Sequence, residues 1–165
     1  GLMPSRDMPL PPGAGWFWVD GAAAPLEGAS MRCMVLPAGA PPELADASIF
    51  LRGHRADGVV FTVRSRAKEP VKLDAKDGSF ELEGAESALV VAFDLASAID
   101  ALGLDALKGN PIVVDDMTNG PALKAFDKAF RDAVKLFSDD DKDGKLGPGE
   151  TDEEHELGHG PGPMP

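Results

Sequence analysis

The sequence predicts an α+β fold, mainly antiparallel β in a sandwich or partial barrel, with two helices near the C-terminus. Three observations lead there. Short apolar or alternating runs recur between Met31 and Phe93, separated by turn formers such as 37–42, Gly53, Asp57-Gly58, Asp77-Gly78 and Gly84. After Phe93 the apolar period lengthens to that of a helix. The 19 glycines and 15 prolines, against only 6% aromatic residues, favour short elements joined by many turns. At 165 residues, 43% of them hydrophobic, the chain can bury one core.

Residues 1–15 read as a flexible leader, because Pro4, Pro9, Pro11 and Pro12 remove backbone donors and Gly13 and Gly15 add freedom. A globular domain is expected over 16–138. It begins with Trp16-Phe17-Trp18-Val19, closed by Asp20-Gly21, which reads as a strand with one face on the core. The same aromatics leave open a protein or carbohydrate partner. Strands follow at 31–36, with Cys33 as a core residue, and at 48–52, 59–64, 71–73, 80–83 and 88–93. Val71-Lys72-Leu73 and Phe80-Glu81-Leu82 flank a turn and suit a hairpin. His54, between Arg52 and Arg55, stands in a cationic turn that suits neither a metal ligand nor a general base.

Asp94 can cap a helix through Leu95, Ala98, Ile99 and Leu102. Ile112-Val113-Val114 is extended, and Asp115-Asp116 after it suits a turn or cap more than a metal site. Asn119-Gly120-Pro121 marks a second helix start. Leu123, Phe126, Phe130, Val134 and Phe137 recur at steps of three and four, so this helix is expected from Ala122 to about Phe137.

The net charge of −12 is concentrated: nine acidic residues and two lysines lie between Asp139 and Glu156. No basic stripe tracks a phosphate backbone, so nucleic acid is not an expected partner. No apolar run is long enough to span a membrane. The single cysteine cannot form an internal disulfide. Gly1 without a preceding Met, and without an apolar signal core after it, reads as a trimmed start.

The sharpest functional signal is the segment 139–150. Asp139, Asp141 and Asp143 alternate, Gly144 permits a tight turn, and Glu150 follows at the twelfth position. Short carboxylates on alternating residues converge on one side of a turn, and a hard cation of calcium's size needs six or more such oxygens. The segment resembles the calcium loop of the EF-hand family. That resemblance implies a Ca²⁺ site made by Asp139, Asp141, Asp143, the Lys145 carbonyl, a water at Gly147 and both oxygens of Glu150. No second loop of this type occurs, and Gly147-Pro148-Gly149 is a weak helix start. The implied site is therefore a single structural one, of affinity about 10⁻⁴ to 10⁻³ M, rather than half of a sensor pair.

A second metal signature lies in the acidic, His/Gly/Pro-containing tail expected over 151–165. His155-Glu156-Leu157-Gly158-His159 matches H-E-x-x-H, in which two histidines one helical turn apart bind Zn²⁺ and the glutamate activates water. The glycines at 158 and 160 and Pro161 leave room for at most two turns, and Pro165 stands where a third histidine would follow. A zinc-dependent hydrolase is thus the alternative, and Zn²⁺ the less expected ion. The order of elements also resembles uncharacterised bacterial exported or lipoprotein-type domains. The expected function is a non-enzymatic extracytoplasmic binding or structural module stabilised by Ca²⁺.

Overall fold

The computed structural model describes residues 28–32, 42, 45–68, 70–80, 89–141 and 146–161. The expected leader, the Trp16–Val19 strand, Cys33 and the second arm of the proposed hairpin, 81–83, lie outside the described residues. The class is as expected: two open, mostly antiparallel sheets and two α-helices.

The first sheet grows from β-branched sequence. β2 (Ile49–His54) and β3 (Val60–Ser65) form an antiparallel hairpin across the Asp57-Gly58 turn, with Leu51 opposite Val63. β3 alternates so that Phe61, Val63 and Ser65 face inward. β6 (Ile112–Val114) pairs with β3 in parallel and completes this three-stranded sheet. Against it pack α1 (Leu95–Asp100) and α2 (Gly120–Asp132), which bury Ala98, Leu123, Phe126 and Phe130 beside Phe61, Ile112 and Val114. A 3₁₀ turn, Leu104–Ala106, lies between α1 and β6.

Local polar chemistry fixes the ends of these elements. Asp94 caps α1, accepting from the Ser97 amide at 3.1 Å and the Ser97 hydroxyl at 2.6 Å. Those donors hold its carboxyl below the usual range. Asp115 accepts from the amides of Met117 and Thr118, so the Asp115-Asp116 pair serves a turn, as its sequence suggested. The hydroxyl of fully buried Ser65 donates to Asp127 at 2.6 Å, tying β3 to α2 without an unmet polar group at that position.

The second sheet has the order β1-β4-β8-β7-β5, from β1 (Gly28–Arg32), β4 (Pro70–Ala75), β5 (Leu89–Phe93), β7 (Val134–Ser138) and β8 (Glu156–His159). Val71, Leu73, Phe80, Val134 and Leu136 form its buried cluster.

Two expectations need correction here. The second helix stops at Asp132, and residues 134–138 are strand β7 rather than a last helical turn. Val134 and Phe137 fit a helical stripe, but Val134 and Leu136 fit alternation equally well. Pairing with β5 on one side and β8 on the other decides for the strand. The segment 151–165, expected as an acidic tail, supplies β8, which lies between β4 and β7. Among the described residues no helix is long and apolar enough to cross a membrane.

Candidate metal centre

The acidic loop leaves β7 and returns through β8, so it is a strand–loop–strand connection rather than one flanked by helices. A register shift leaves Leu157 of β8 as the extra residue of a bulge, opposite Leu136 and Phe137 near the end of β7. Just beyond it Asp139 is 4% exposed, with its Oδ1 buried. A carboxylate at that depth requires compensating donors or a cation.

Asp139, Asp141 and Glu150 each offer a carboxylate oxygen, and these oxygens lie within 4.8 Å of one another, an arrangement that can hold a metal ion. Asp139 is buried, Asp141 exposed and Glu150 only 9% exposed. Glu150 is anchored at both oxygens: Oε1 accepts from the Asp140 amide at 3.3 Å and Oε2 from the Gly147 amide at 2.7 Å. Glycine at 147 lets the carboxylate come this close, since a Cβ there would stand 3.1 Å from Oε2. Gly149 has a φ of +95°, which an L side chain resists, and it turns the chain into Glu150. Of the six residues expected at the site, the structure thus gathers Asp139, Asp141 and Glu150 with Gly147 beside them. Asp143 and Lys145 lie outside the described residues.

A histidine clamp closes the same loop, and sequence reading missed it. His155 Nδ1 lies 2.5 Å from Asp152 Oδ1, and Nε2 lies 3.1 Å from Asp140 Oδ2. Asp152 Oδ1 also accepts from the amides of Glu154 and His155. Only a doubly protonated imidazolium donates to both carboxylates. Asp152, and then Asp140, raise the His155 pKa, and His155 in turn holds the Asp152 carboxyl below its usual range. The Asp-x-x-His spacing was the available signal for half of this clamp.

The clamp gives stability a pH dependence of definite sign. The His155 pKa is higher folded than unfolded, so its contribution is fully present below about pH 6.5 and fades as pH rises through the raised value. For Asp152, lowered in the fold, the contribution is present above about pH 3.9 and fades as pH falls through the lowered value. Urea midpoints measured from pH 5 to 9 should therefore decline above neutrality in the wild type and decline less in His155→Ala. Equal slopes in the two proteins would contradict the clamp.

The helix that zinc chemistry at 155–159 requires is not formed. His155 ends a turn and Glu156–His159 is extended, so the two histidines are separated by up to about 13 Å of strand instead of one helical turn. Each residue also has another partner. Glu156 accepts from Lys135 at 3.0 Å, and His159 Nδ1 faces the Gly160 carbonyl oxygen at 2.9 Å.

A cavity of about 890 Å³ adjoins the loop. Its largely apolar wall runs from Phe93 and Ala129 past Phe137 to Leu146 and Thr151 of the loop itself. No family model, curated protein or solved structure matches this chain.

Proposed function

We propose that this domain is a non-enzymatic binding or structural module, stabilised by one Ca²⁺ in the loop between β7 and β8. The observation that carries the reading is the convergence of Asp139, Asp141 and Glu150 oxygens within 4.8 Å, at the first, third and twelfth positions of the EF-hand-like spacing. All-oxygen, carboxylate-rich donors suit a hard cation, and the EF-hand-like spacing favours calcium over magnesium, which demands a strict octahedron and keeps several waters. The ion also offsets the repulsion among four aspartates within five residues, 139–143.

The ion's role is structural. Sensing by an EF-hand needs a second helix that moves, whereas this loop returns directly into a sheet. Binding at the loop fastens β8 to β7. The neighbouring cavity, within the size range of ligand sites, supports the binding half of the proposal. An affinity of about 10⁻⁴ to 10⁻³ M fits a calcium-rich, extracytoplasmic setting.

Thermal melting of the full chain tests this. At calcium ten times the dissociation constant, mass action adds about 1.4 kcal/mol, which raises the melting temperature by roughly 3–6 °C for a domain of this size. Magnesium at the same concentration should raise it less. Glu150→Gln should abolish most of the calcium shift while leaving the cooperative transition in place. A wild-type melt indifferent to 10 mM calcium would rule the reading out.

A further inference from the structure

Among the described strands the last in sequence, β8, is one of the innermost in space. β8 has only two residue pairs with β4 (Asp74–His159 and Ala75–Gly158) and three, across a register shift, with β7. Its neighbours hold on elsewhere: β4 makes five pairs with β1, and β7 makes five with β5. The walls of the slot also share one cluster of buried side chains, Val71, Leu73, Val134 and Leu136. By contrast β8 adds a single partly buried apolar side chain, Leu157, to that cluster. Little apolar surface therefore fastens β8, while β4 and β7 keep most of their own contacts without it.

The slot is selective. A Cβ at Gly158 would stand 2.7 Å from the Asp74 carbonyl oxygen of β4. At Gly160 it would stand 2.5 Å from the Asp132 carbonyl oxygen and 2.9 Å from Val134 Cγ1. Those neighbours are largely backbone and cannot turn aside, so an occupant must carry glycine at both positions. The pattern Leu-Gly-x-Gly at 157–160 meets that condition.

We propose that the slot between β4 and β7 is a strand-binding site that can exchange its own β8 for the β8 of a second copy of this chain. The connection from 139 to 155 is long enough, at up to about 55 Å when extended, to carry the strand to a neighbouring molecule. Its crowded acidic residues favour the opened connection when their charge is not offset. Strand exchange of this kind is available whether or not the loop holds an ion.

Two measurements on the full chain decide it. In the first, a fluorescent peptide spanning residues 151–161 is titrated into the wild type and into Gly158→Val, whose own β8 cannot seat. The expected result is saturable binding to the variant, at least tenfold weaker binding to the wild type, and no binding of a peptide carrying the same G158V change. A variant that melts cooperatively but ignores the wild-type peptide, or that binds both peptides alike, overturns the proposal. If the variant fails to fold, hydrogen exchange on the wild type decides. The amides of Lys76, Ser138 and Gly160 donate to Leu157, His155 and Val134 across the borders of β8. They should exchange together, at least tenfold faster than the interior α2 amides of Phe126 and Phe130 after correction for intrinsic rates. Equal protection in the two groups overturns the proposal.

Discussion

Replacing Phe126 with alanine is expected to lower the unfolding free energy by about 3–5 kcal/mol, among the largest losses at the described residues. The side chain is 0% exposed and stacks on Phe130 with ring centroids 5.9 Å apart. Phe130 in turn stacks on Phe93 at 4.5 Å, so the aromatic row joins α2 to β5 of the other sheet. Truncation would remove the transfer free energy of the ring and leave a cavity between α2 and β3, where surrounding helix and sheet backbones restrict collapse. Urea denaturation should show the midpoint falling with little change in slope. A loss below about 1 kcal/mol would mean that the core can close around the missing ring, and that this packing is wrongly described.

The second large effect is expected at Gly160, where sequence gives no hint of burial. An alanine Cβ there would overlap the carbonyl oxygen of Asp132 and press on Val134, at the junction where α2 ends and β7 begins. The Gly160 amide also donates to the Val134 carbonyl oxygen at 2.8 Å, so the residue cannot retreat without losing that bond. Gly160→Ala should cost about 1–3 kcal/mol by overpacking. An exposed tail glycine would tolerate the same change within about 0.5 kcal/mol, which makes thermal denaturation of this variant a direct check on where the segment lies.

What the sequence revealed divides along the range of the forces involved. β3, β6, the Asp94 cap and the start of α2 follow from neighbours within a few residues, and they stand close to where the local pattern placed them. The spacing that brings Asp139, Asp141 and Glu150 together is likewise local, and was legible for that reason. β7 was misread because Val134, Leu136 and Phe137 satisfy two periods at once, and the choice between them is made by strands β5 and β8, whose paired residues lie 19 or more positions away along the chain, as in Phe137–Glu156. β8 was hidden for a related reason. Its composition of Gly, His and Glu has little strand propensity, and its place in the sheet depends on β4, far earlier in the sequence. The H-E-x-x-H string then shows how a motif fails when its secondary structure differs: on a strand, the same residues take up an ion pair with Lys135 and a carboxylate clamp at the loop.

These placements alter the meaning of the acidic loop. Read as an appendage to a helix, it would fasten one terminus. Placed between β7 and β8, it leads into the strand that bridges β4 and β7. The His155 clamp and the Lys135–Glu156 ion pair both act on this one connection, and the proposed cation would act there too. The Lys135–Glu156 pair is part-buried on its Glu156 side, and in the proposed reading the buried Asp139 and Glu150 would add to the closure through the ion they would share.

The most direct test of the proposed calcium site is isothermal titration of CaCl₂ into the full chain after chelator treatment and exhaustive dialysis. The expected result is one ion per chain, a dissociation constant of about 10⁻⁴ to 10⁻³ M, and loss of the binding heat in Glu150→Gln. Absence of saturable heat with no rise in melting temperature at millimolar calcium, or undiminished binding in Glu150→Gln, would contradict it.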